Sequence, residues 1–387
     1  MRDQQGFILP LLLALLFVGG LLYHFDAERL ATDLERTRLE RTRSALAEAR
    51  EALIAHAITY DLTHAATNPR LGLLPCPDAN GDGSADGACD GRDEASLGRL
   101  PYRTLSLPRI LDGDGECLWY AVAGRIKNNL ASDASLNWDT PGQFTLTGLT
   151  GADLLGGAPN RAVAVLIAPG KPLAGQIRGV GTAVCGSGSA AAGERTAYLE
   201  GTPAMATPAM LTIQQGDPRS ATNNDVVAWI TIDDIYDRAS RMSTFGPYLG
   251  TITDAIAANH LAIPLPGPNG EALPTGDTGF IGPVGPVDAE DMARRYLDWQ
   301  AMYHYLRCAP NGAGVIPQCM ELAGAPCRAI LAFGGRRTTG QTRPGTSLAD
   351  YFEDATLDAL TSAPHTFDGP TDWNPSAPEA DILRCLN

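Results

Sequence analysis

The chain begins with an apolar segment that leads directly into a long stretch without helix-breaking residues. The segment Phe7–Tyr23 carries no charged residue, and Ala27–Ala57 contains neither proline nor glycine. Leucine and alanine recur on one face of the second stretch, which is the spacing of an amphipathic helix. At 1.5 Å per residue, Phe7–Ala57 as one helix would be roughly 75 Å long. A rod of this kind, membrane-embedded in its first third, predicts a subunit that packs beside its neighbours through a bundle of helices.

The residues around Gly6 resemble the class III signal of type IV pilins and type II secretion pseudopilins. In that family a prepilin peptidase cuts a short hydrophilic leader between a glycine and a phenylalanine, and the new amine is N-methylated. The resemblance implies cleavage between Gly6 and Phe7, and a helix that serves first as an inner-membrane anchor and then as filament core. Leu11 stands where the family usually has a glutamate. Some minor pilins and the pseudopilin at the filament tip also lack it, so the resemblance points to such a subunit.

Two other interpretations of the first segment stay open. Seventeen apolar residues are just enough for an uncleaved membrane anchor. A cleaved secretory signal is the weaker alternative, because Tyr23–Asp26 offers no small-residue cleavage site. The leader, with Arg2 and Asp3, also has no net charge, so charge alone does not set the orientation of the segment.

Length and charge limit the classes of protein and partner. A chain of 387 residues is too long for one ordinary domain. We predict a leader at 1–6, a transmembrane and stalk helix at 7–60, and headpiece domains at 61–245 and 246–387. The net charge of −15 argues against nucleic acid or anionic lipid as a partner. The expected partners are other pilins or pseudopilins through the N-terminal helix, the prepilin peptidase and the inner membrane.

The eight cysteines predict disulfide bonds in an oxidising compartment such as the periplasm. All of them follow the apolar segment, and no two have the C-x-x-C spacing of a zinc site. They are Cys76, Cys89, Cys117, Cys185, Cys308, Cys319, Cys327 and Cys385.

An acidic, glycine-rich loop matches the first nine positions of a calcium-binding loop. Calcium takes six to eight oxygen ligands, and alternate side chains of such a loop surround one point while a glycine turns the backbone. The candidate ligands are Asp78, Asn80, Asp82, Ser84 and Asp86. Cys89 occupies the position of the usual bidentate glutamate. The alternative is therefore a turn closed by a Cys76–Cys89 disulfide, with no metal.

The second half of the chain repeats part of the first. Ala164–Arg178 aligns without gaps on Ala329–Arg343, and both segments end in Gly-Gln-x-Arg. A Tyr-x-Glu triplet follows each of them, at Tyr198–Glu200 and at Tyr351–Glu353. These segments predict an α+β fold in which a long N-terminal transmembrane and stalk helix precedes a pilin-like, antiparallel-sheet headpiece that is duplicated. Chance similarity of two apolar strands is the alternative.

Further elements are predicted from local patterns. Apolar and β-branched runs between turns favour strands at Phe144–Thr147, Val163–Ala168, Met210–Gln214 and Val226–Ile232. Aromatic residues and a methionine at helical spacing favour a helix over Ala289–Arg307.

No pattern of catalytic residues stands out. The six histidines are scattered, and the sequence contains no H-E-x-x-H, G-x-S-x-G or P-loop motif. We therefore predict a protein that is not an enzyme: a minor pilin or pseudopilin of low copy or at a filament tip, single-pass in the inner membrane with a periplasmic domain. The alternative is a membrane-anchored periplasmic binding protein or adhesin that does not polymerise.

Overall fold

The computed structural model describes residues 8–64, 70–87, 89–129, 134–157, 160–178, 185, 192–258, 271–272, 279–283, 290–308 and 315–387. Its helices are α1 (Ile8–Thr63), α2 (Ala192–Tyr198), α3 (Ile232–Ala239), α4 (Phe245–Ala258), α5 (Glu290–Trp299) and α6 (Asp354–Thr361). Its strands are β1 (Ser96–Arg99), β2 (Trp119–Val122), β3 (Phe144–Thr147), β4 (Ala162–Ala168), β5 (Leu211–Gln214), β6 (Val226–Thr231), β7 (Glu271–Ala272), β8 (Gly279–Pro283), β9 (Tyr303–Cys308), β10 (Met320–Leu322), β11 (Ala325–Cys327), β12 (Ala329–Phe333), β13 (His365–Phe367) and β14 (Ile382–Leu386).

The first half of the chain folds around strand β4. All seven of its residues are buried, which explains its continuous apolar sequence. It pairs antiparallel with β2 along one edge and with β6 along the other. Strand β3 also joins β4 and in turn pairs parallel with β5. Helix α1 packs on β4, β6 and α3, so the sheet is covered by the C-terminal part of that helix.

The second half folds around strand β12, which is also fully buried. Its sheet is antiparallel, with the order β14-β12-β9-β8-β7. A separate small sheet joins β11, β10 and β13, and β10 and β13 run parallel. The helix predicted over Ala289–Arg307 is shorter than expected, because α5 ends at Trp299 and the chain enters strand β9 at Tyr303.

The predicted fold class is wrong. The fold is mixed and rich in sheet, and parallel pairs occur in two of the three sheets formed by the described residues, so it is not a helix on a purely antiparallel headpiece. No helix in the described part of the chain is both long enough and apolar enough to cross a membrane. The predicted transmembrane segment and the predicted single-pass inner-membrane localisation are therefore wrong as well. Helix α1 is long, but acidic and basic residues are frequent along it after Tyr23.

The two segments that align in sequence occupy matching places in the two large sheets. Residue 164 pairs with Val122 in β2, and its counterpart Ala329 pairs with Arg307 in β9. On the opposite edges, Ala168 pairs with Val226 in β6, and Phe333 pairs with Ile382 in β14. Each aligned segment is thus a central strand with an antiparallel neighbour on both sides. The predicted boundary between 245 and 246 stays a prediction.

A buried ion pair joins the two halves of the chain. Arg70, just beyond α1, contacts the carboxylate of Asp298 in α5, and the two side chains are 2% and 1% exposed. The Arg70 Nε lies 3.1 Å from Asp298 Oδ1 and 3.2 Å from Oδ2. The backbone amide of Leu136 donates to the same carboxylate at 2.9 Å. The pair therefore fixes three separate parts of the sequence at one point.

Aromatic packing reinforces this junction. The ring of Trp138, from the first half, contacts Phe245 at the start of α4. It also contacts three aromatic side chains of the second half, Trp299, Phe333 and Trp373. Buried residues of both halves belong to one hydrophobic cluster. The described parts of the two halves consequently share a core.

Candidate functional site

The N-terminal part of helix α1 extends away from the sheets. Its described side chains between Leu12 and Arg41 are all exposed except that of Leu39, which is half-buried. The apolar residues Leu15, Leu16 and Phe17 are 63%, 70% and 72% exposed. From Ile8 to Arg41 this part of the helix is roughly 50 Å long. Consecutive exposed apolar side chains of this size are typical of a surface that another molecule covers.

The C-terminal part of α1 is held firmly to the first half of the chain. Leu46, Ala49, Leu53 and Ala57 recur at helical spacing and are buried against the sheet. On its flank, Arg50 Nε donates a hydrogen bond to the carbonyl oxygen of Trp229 in β6 at 2.8 Å. The apolar face and this polar contact fix the direction in which the exposed part extends.

Two ion pairs link the charged middle of α1 to loops of the same chain. Arg38 lies 3.4 Å from Asp114, and Glu35 lies 3.1 Å from Arg219. Beside them the Thr42 hydroxyl accepts a hydrogen bond from the backbone amide of Gly113 at 2.9 Å. A Cβ atom on Gly113 would lie 2.0 Å from the Arg38 carbonyl oxygen, so only glycine allows this approach. Part of the charge on the helix is thus paired within the chain.

The predicted processing site, Gly6 and Phe7, lies outside the described residues. Cleavage between these two residues therefore stays a prediction.

All eight cysteines form disulfides, as the sequence predicts. The pairs are Cys76–Cys89, Cys117–Cys185, Cys308–Cys319 and Cys327–Cys385. Four disulfides favour an oxidising, extracytoplasmic environment.

In the predicted calcium loop, the side-chain oxygens are bonded to the loop's own backbone. Asp78 is fully buried, and its two carboxylate oxygens accept hydrogen bonds from the amides of Gly81 and Gly83, both at 2.6 Å. Burial raises the pKa of Asp78, and these amides oppose the rise. Three further bonds close the loop: Asp82 N to Asn80 Oδ1, Ser84 N to Asp82 Oδ1, and Ala79 N to Asp86 Oδ2.

Calcium binding at this loop stays a prediction. The part of the chain that the structure describes contains no group of three or more histidine, cysteine or acidic side chains arranged to hold a metal. The loop is ordered by its own hydrogen bonds and by the Cys76–Cys89 disulfide, which spans 13 residues.

We expect the double variant Cys76→Ser/Cys89→Ser to lose about 3 kcal/mol of unfolding free energy, because the bridge restricts the unfolded chain. Urea denaturation in EDTA measures the loss. Repeating the measurement in calcium chloride tests the loop as a metal site: a calcium-dependent gain that Asp82→Asn removes would support it. A loss well below 1 kcal/mol in EDTA would contradict the stabilising role of the disulfide.

A serine and a lysine also come together in this region, but their arrangement does not suit catalysis. Lys127 Nζ lies 3.0 Å from Ser96 Oγ and 2.6 Å from the carbonyl oxygen of Cys89. Burial lowers the pKa of Lys127 to about 8. Both side chains are nevertheless buried, at 1% and 0% exposure, so no substrate reaches the hydroxyl. The lysine instead satisfies two buried oxygen atoms.

The Gly-Gln-x-Arg segments form the same polar cluster in both halves. We call the two sets the repeat clusters: Gln176, Arg178, Glu200 and Asp225 in the first, and Gln341, Arg343, Glu353 and Asp381 in the second. In each set the glutamine amide donates to the glutamate, and the arginine donates to the glutamine oxygen at 3.1 Å. The glutamate's own backbone amide donates to the aspartate, at 2.9 Å to Asp225 and 3.4 Å to Asp381.

The aspartates of the repeat clusters are unusually basic. Burial, together with the neighbouring Glu200, raises the pKa of Asp225 from its ordinary 3.8 to about 7. Burial and Glu353 do the same to Asp381. The sequence alignment does not include these two residues, because the distance from glutamate to aspartate differs between the halves. The common signal is an aspartate directly before an apolar strand, at Asp225–Val227 and at Asp381–Leu383.

Comparison of the chain with protein-family models, with curated proteins and with solved structures gave no match in any of the three.

Proposed function

We propose that the protein is a low-copy or tip subunit of a filament of the type IV pilus or type II secretion pseudopilus class. The subunit assembles through the exposed N-terminal part of α1, after a prepilin peptidase has removed residues 1–6. Its partners are other pilins or pseudopilins whose N-terminal helices lie beside its own.

The exposed apolar surface of α1 is the observation that carries this proposal. The described side chains Leu12, Leu13, Leu15, Leu16 and Phe17 are each more than half exposed. Fully burying a leucine or phenylalanine side chain contributes roughly 1.5–3 kcal/mol. Packing this segment between neighbouring helices therefore supplies a large favourable term that the isolated chain lacks.

Two further features support it. The C-terminal part of α1 is fixed by apolar packing and by the Arg50–Trp229 hydrogen bond, so the exposed part has a defined direction. The remainder of the chain is bulky and carries most of the net charge of −15. Subunits of this bulk would crowd one another in a regular helical array, which favours low copy or a terminal position.

We expect Leu16→Glu to reduce the amount of the protein in sheared filaments of the native cell by at least about tenfold, because each copy would place a charge between packed helices. The matched control is Ile177→Glu, since Ile177 is 88% exposed and is not part of α1. Immunoblots of sheared filaments and whole cells measure incorporation. Equal incorporation of the two variants would contradict the role of α1.

Mass spectrometry of the mature protein separates the proposal from its main alternative. N-methyl-phenylalanine at position 7 is the expected amino terminus. An intact Met1, together with absence of the wild-type protein from sheared filaments, would favour a binding protein or adhesin that does not polymerise.

A further inference from the structure

A cavity between the two halves of the chain contains a buried carboxylate without a hydrogen-bond partner. The cavity has a volume of about 400 Å³ and lies between the loop that carries Asp139 and the turn that carries Arg337 and Arg343. Asp139 is 8% exposed, and neither of its carboxylate oxygens accepts a hydrogen bond from any described residue. A buried carboxylate in this condition is costly unless another molecule supplies the donors.

Two arginines lie near this carboxylate at distances longer than a hydrogen bond. Arg343 Nη1 is 3.8 Å from Asp139 Oδ2, and Arg337 Nη1 is 4.0 Å from Asp139 Oδ1. Burial raises the pKa of Asp139, and both arginines oppose the rise. Asp233, the other acidic group near Asp139, faces Arg336 and lies 2.6 Å from it.

The two arginines differ in what they can still bind. All three nitrogens of Arg343 already donate to protein atoms, including the carbonyl oxygens of Gly335 at 2.5 Å and Tyr351 at 2.9 Å. Among the described residues, Arg337 has only its distant contact with Asp139, and its side chain is 21% exposed. The cavity therefore holds a carboxylate and a guanidinium that face each other at 4.0 Å without a hydrogen bond between them.

We infer that this cavity binds a free α-amino acid with an apolar side chain. The ammonium group of the ligand donates to Asp139, and its carboxylate accepts from Arg337, with Arg343 adding positive charge. The ammonium nitrogen and the carboxylate oxygens of an amino acid lie roughly 3 Å apart, since only Cα and the carboxylate carbon separate them. That spacing suits a carboxylate and a guanidinium 4.0 Å apart.

The other residues that line the cavity determine which ligand side chains fit. Pro141, Ile232 and Pro344 supply apolar walls. A volume of about 400 Å³ is at the lower end of the range for small-molecule sites, which suits an amino acid better than a larger ligand.

Isothermal titration of the full chain with L-leucine tests the inference. We expect saturable binding that is lost with N-acetyl-leucine, which lacks the ammonium group, and with leucine amide, which lacks the carboxylate. Asp139→Asn and Arg337→Gln should each weaken binding by about tenfold or more, because each removes a charge-assisted hydrogen bond. Asp139→Asn breaks no hydrogen bond between described residues but removes the negative charge that faces the buried Arg343, so its melting temperature is measured first to show that the variant folds.

The matched control is Arg336→Gln. Arg336 neighbours Arg337 but pairs with Asp233 and Asp237, so its replacement should leave leucine binding unchanged. Absence of leucine binding by the wild-type chain, or an equal loss in all three variants, would overturn the inference. If Asp139 and Arg337 form a direct salt bridge in place of a ligand site, the wild-type chain should not bind leucine. Neither outcome bears on filament assembly, which depends on α1.

Discussion

Replacing Arg70 by methionine should lower the free energy of unfolding by about 3–5 kcal/mol, because it leaves the Asp298 carboxylate buried without a cation. Arg70 and Asp298 are 2% and 1% exposed, and their contact joins the two halves of the chain. Urea denaturation at pH 7 measures the effect. The control is Arg238→Met, which removes an ion pair with Glu51 whose side chains are about half exposed. Exposed pairs contribute only about 0–1 kcal/mol.

The same variant should be sensitive to pH in a defined direction. Burial raises the pKa of Asp298 to about 6 even though Arg70 opposes the rise. Without Arg70 the pKa rises further, so protonation at pH 5 removes the unpaired charge. The loss of unfolding free energy relative to the wild type should therefore be smaller at pH 5 than at pH 8. The double variant Arg70→Met/Asp298→Leu should regain most of the loss. An equal loss of unfolding free energy at both pH values would show that lost packing, rather than the unpaired charge, destabilises the Arg70→Met variant.

Replacing Asp225 and Asp381 by asparagine should stabilise the protein at pH 8 and reduce the pH dependence of its stability. Both aspartates have a folded-state pKa of about 7, against an ordinary value of 3.8. The folded state thus binds protons more tightly than the unfolded state. The contribution of this tighter proton binding to the free energy of unfolding is complete below about pH 4 and is lost as the pH rises through about 7. A difference of about three units corresponds to at most roughly 4 kcal/mol per aspartate at pH 8.

Melting temperatures between pH 5 and pH 8 check this expectation. Asparagine keeps the oxygen that accepts from the Glu200 and Glu353 amides and carries no charge, so each variant should gain stability at pH 8 and little at pH 5. Asp254→Asn is the control, because the Asp254 side chain is 62% exposed. If the melting temperatures of the wild type and the Asp225→Asn/Asp381→Asn variant change with pH in parallel, the two aspartates do not cause the pH dependence of stability.

Local sequence signals identify several elements because their structure depends on local properties. Helix α1 passes through Ala27–Ala57, where no residue interrupts it. Strand β4 has a continuous apolar sequence, and its seven residues are all buried. The Gly-Gln-x-Arg match identifies two of the four residues of each repeat cluster, since the glycine-flanked turn is compact in sequence.

Features that depend on contacts between residues far apart in the sequence cannot be predicted from local patterns. Tyr303 extends the helical spacing of Tyr296 and Trp299, yet it begins strand β9, because pairing with β8 and β12 determines its conformation. Arg70 and Asp298 are 228 residues apart, and nothing near either of them identifies its partner. The mixed sheet arrangement also depends on the parallel β3–β5 pair, whose strands are separated by β4 and α2.

The way α1 is attached has a mechanical consequence. A tensile load applied along the exposed part of the helix would reach the sheets through the buried side chains after Thr42 and through the Arg50–Trp229 bond. These contacts lie side by side along the helix axis, so the load would shear them together instead of opening them one after another. A load on the exposed part of α1 would therefore reach the centre of the first sheet through several contacts at once.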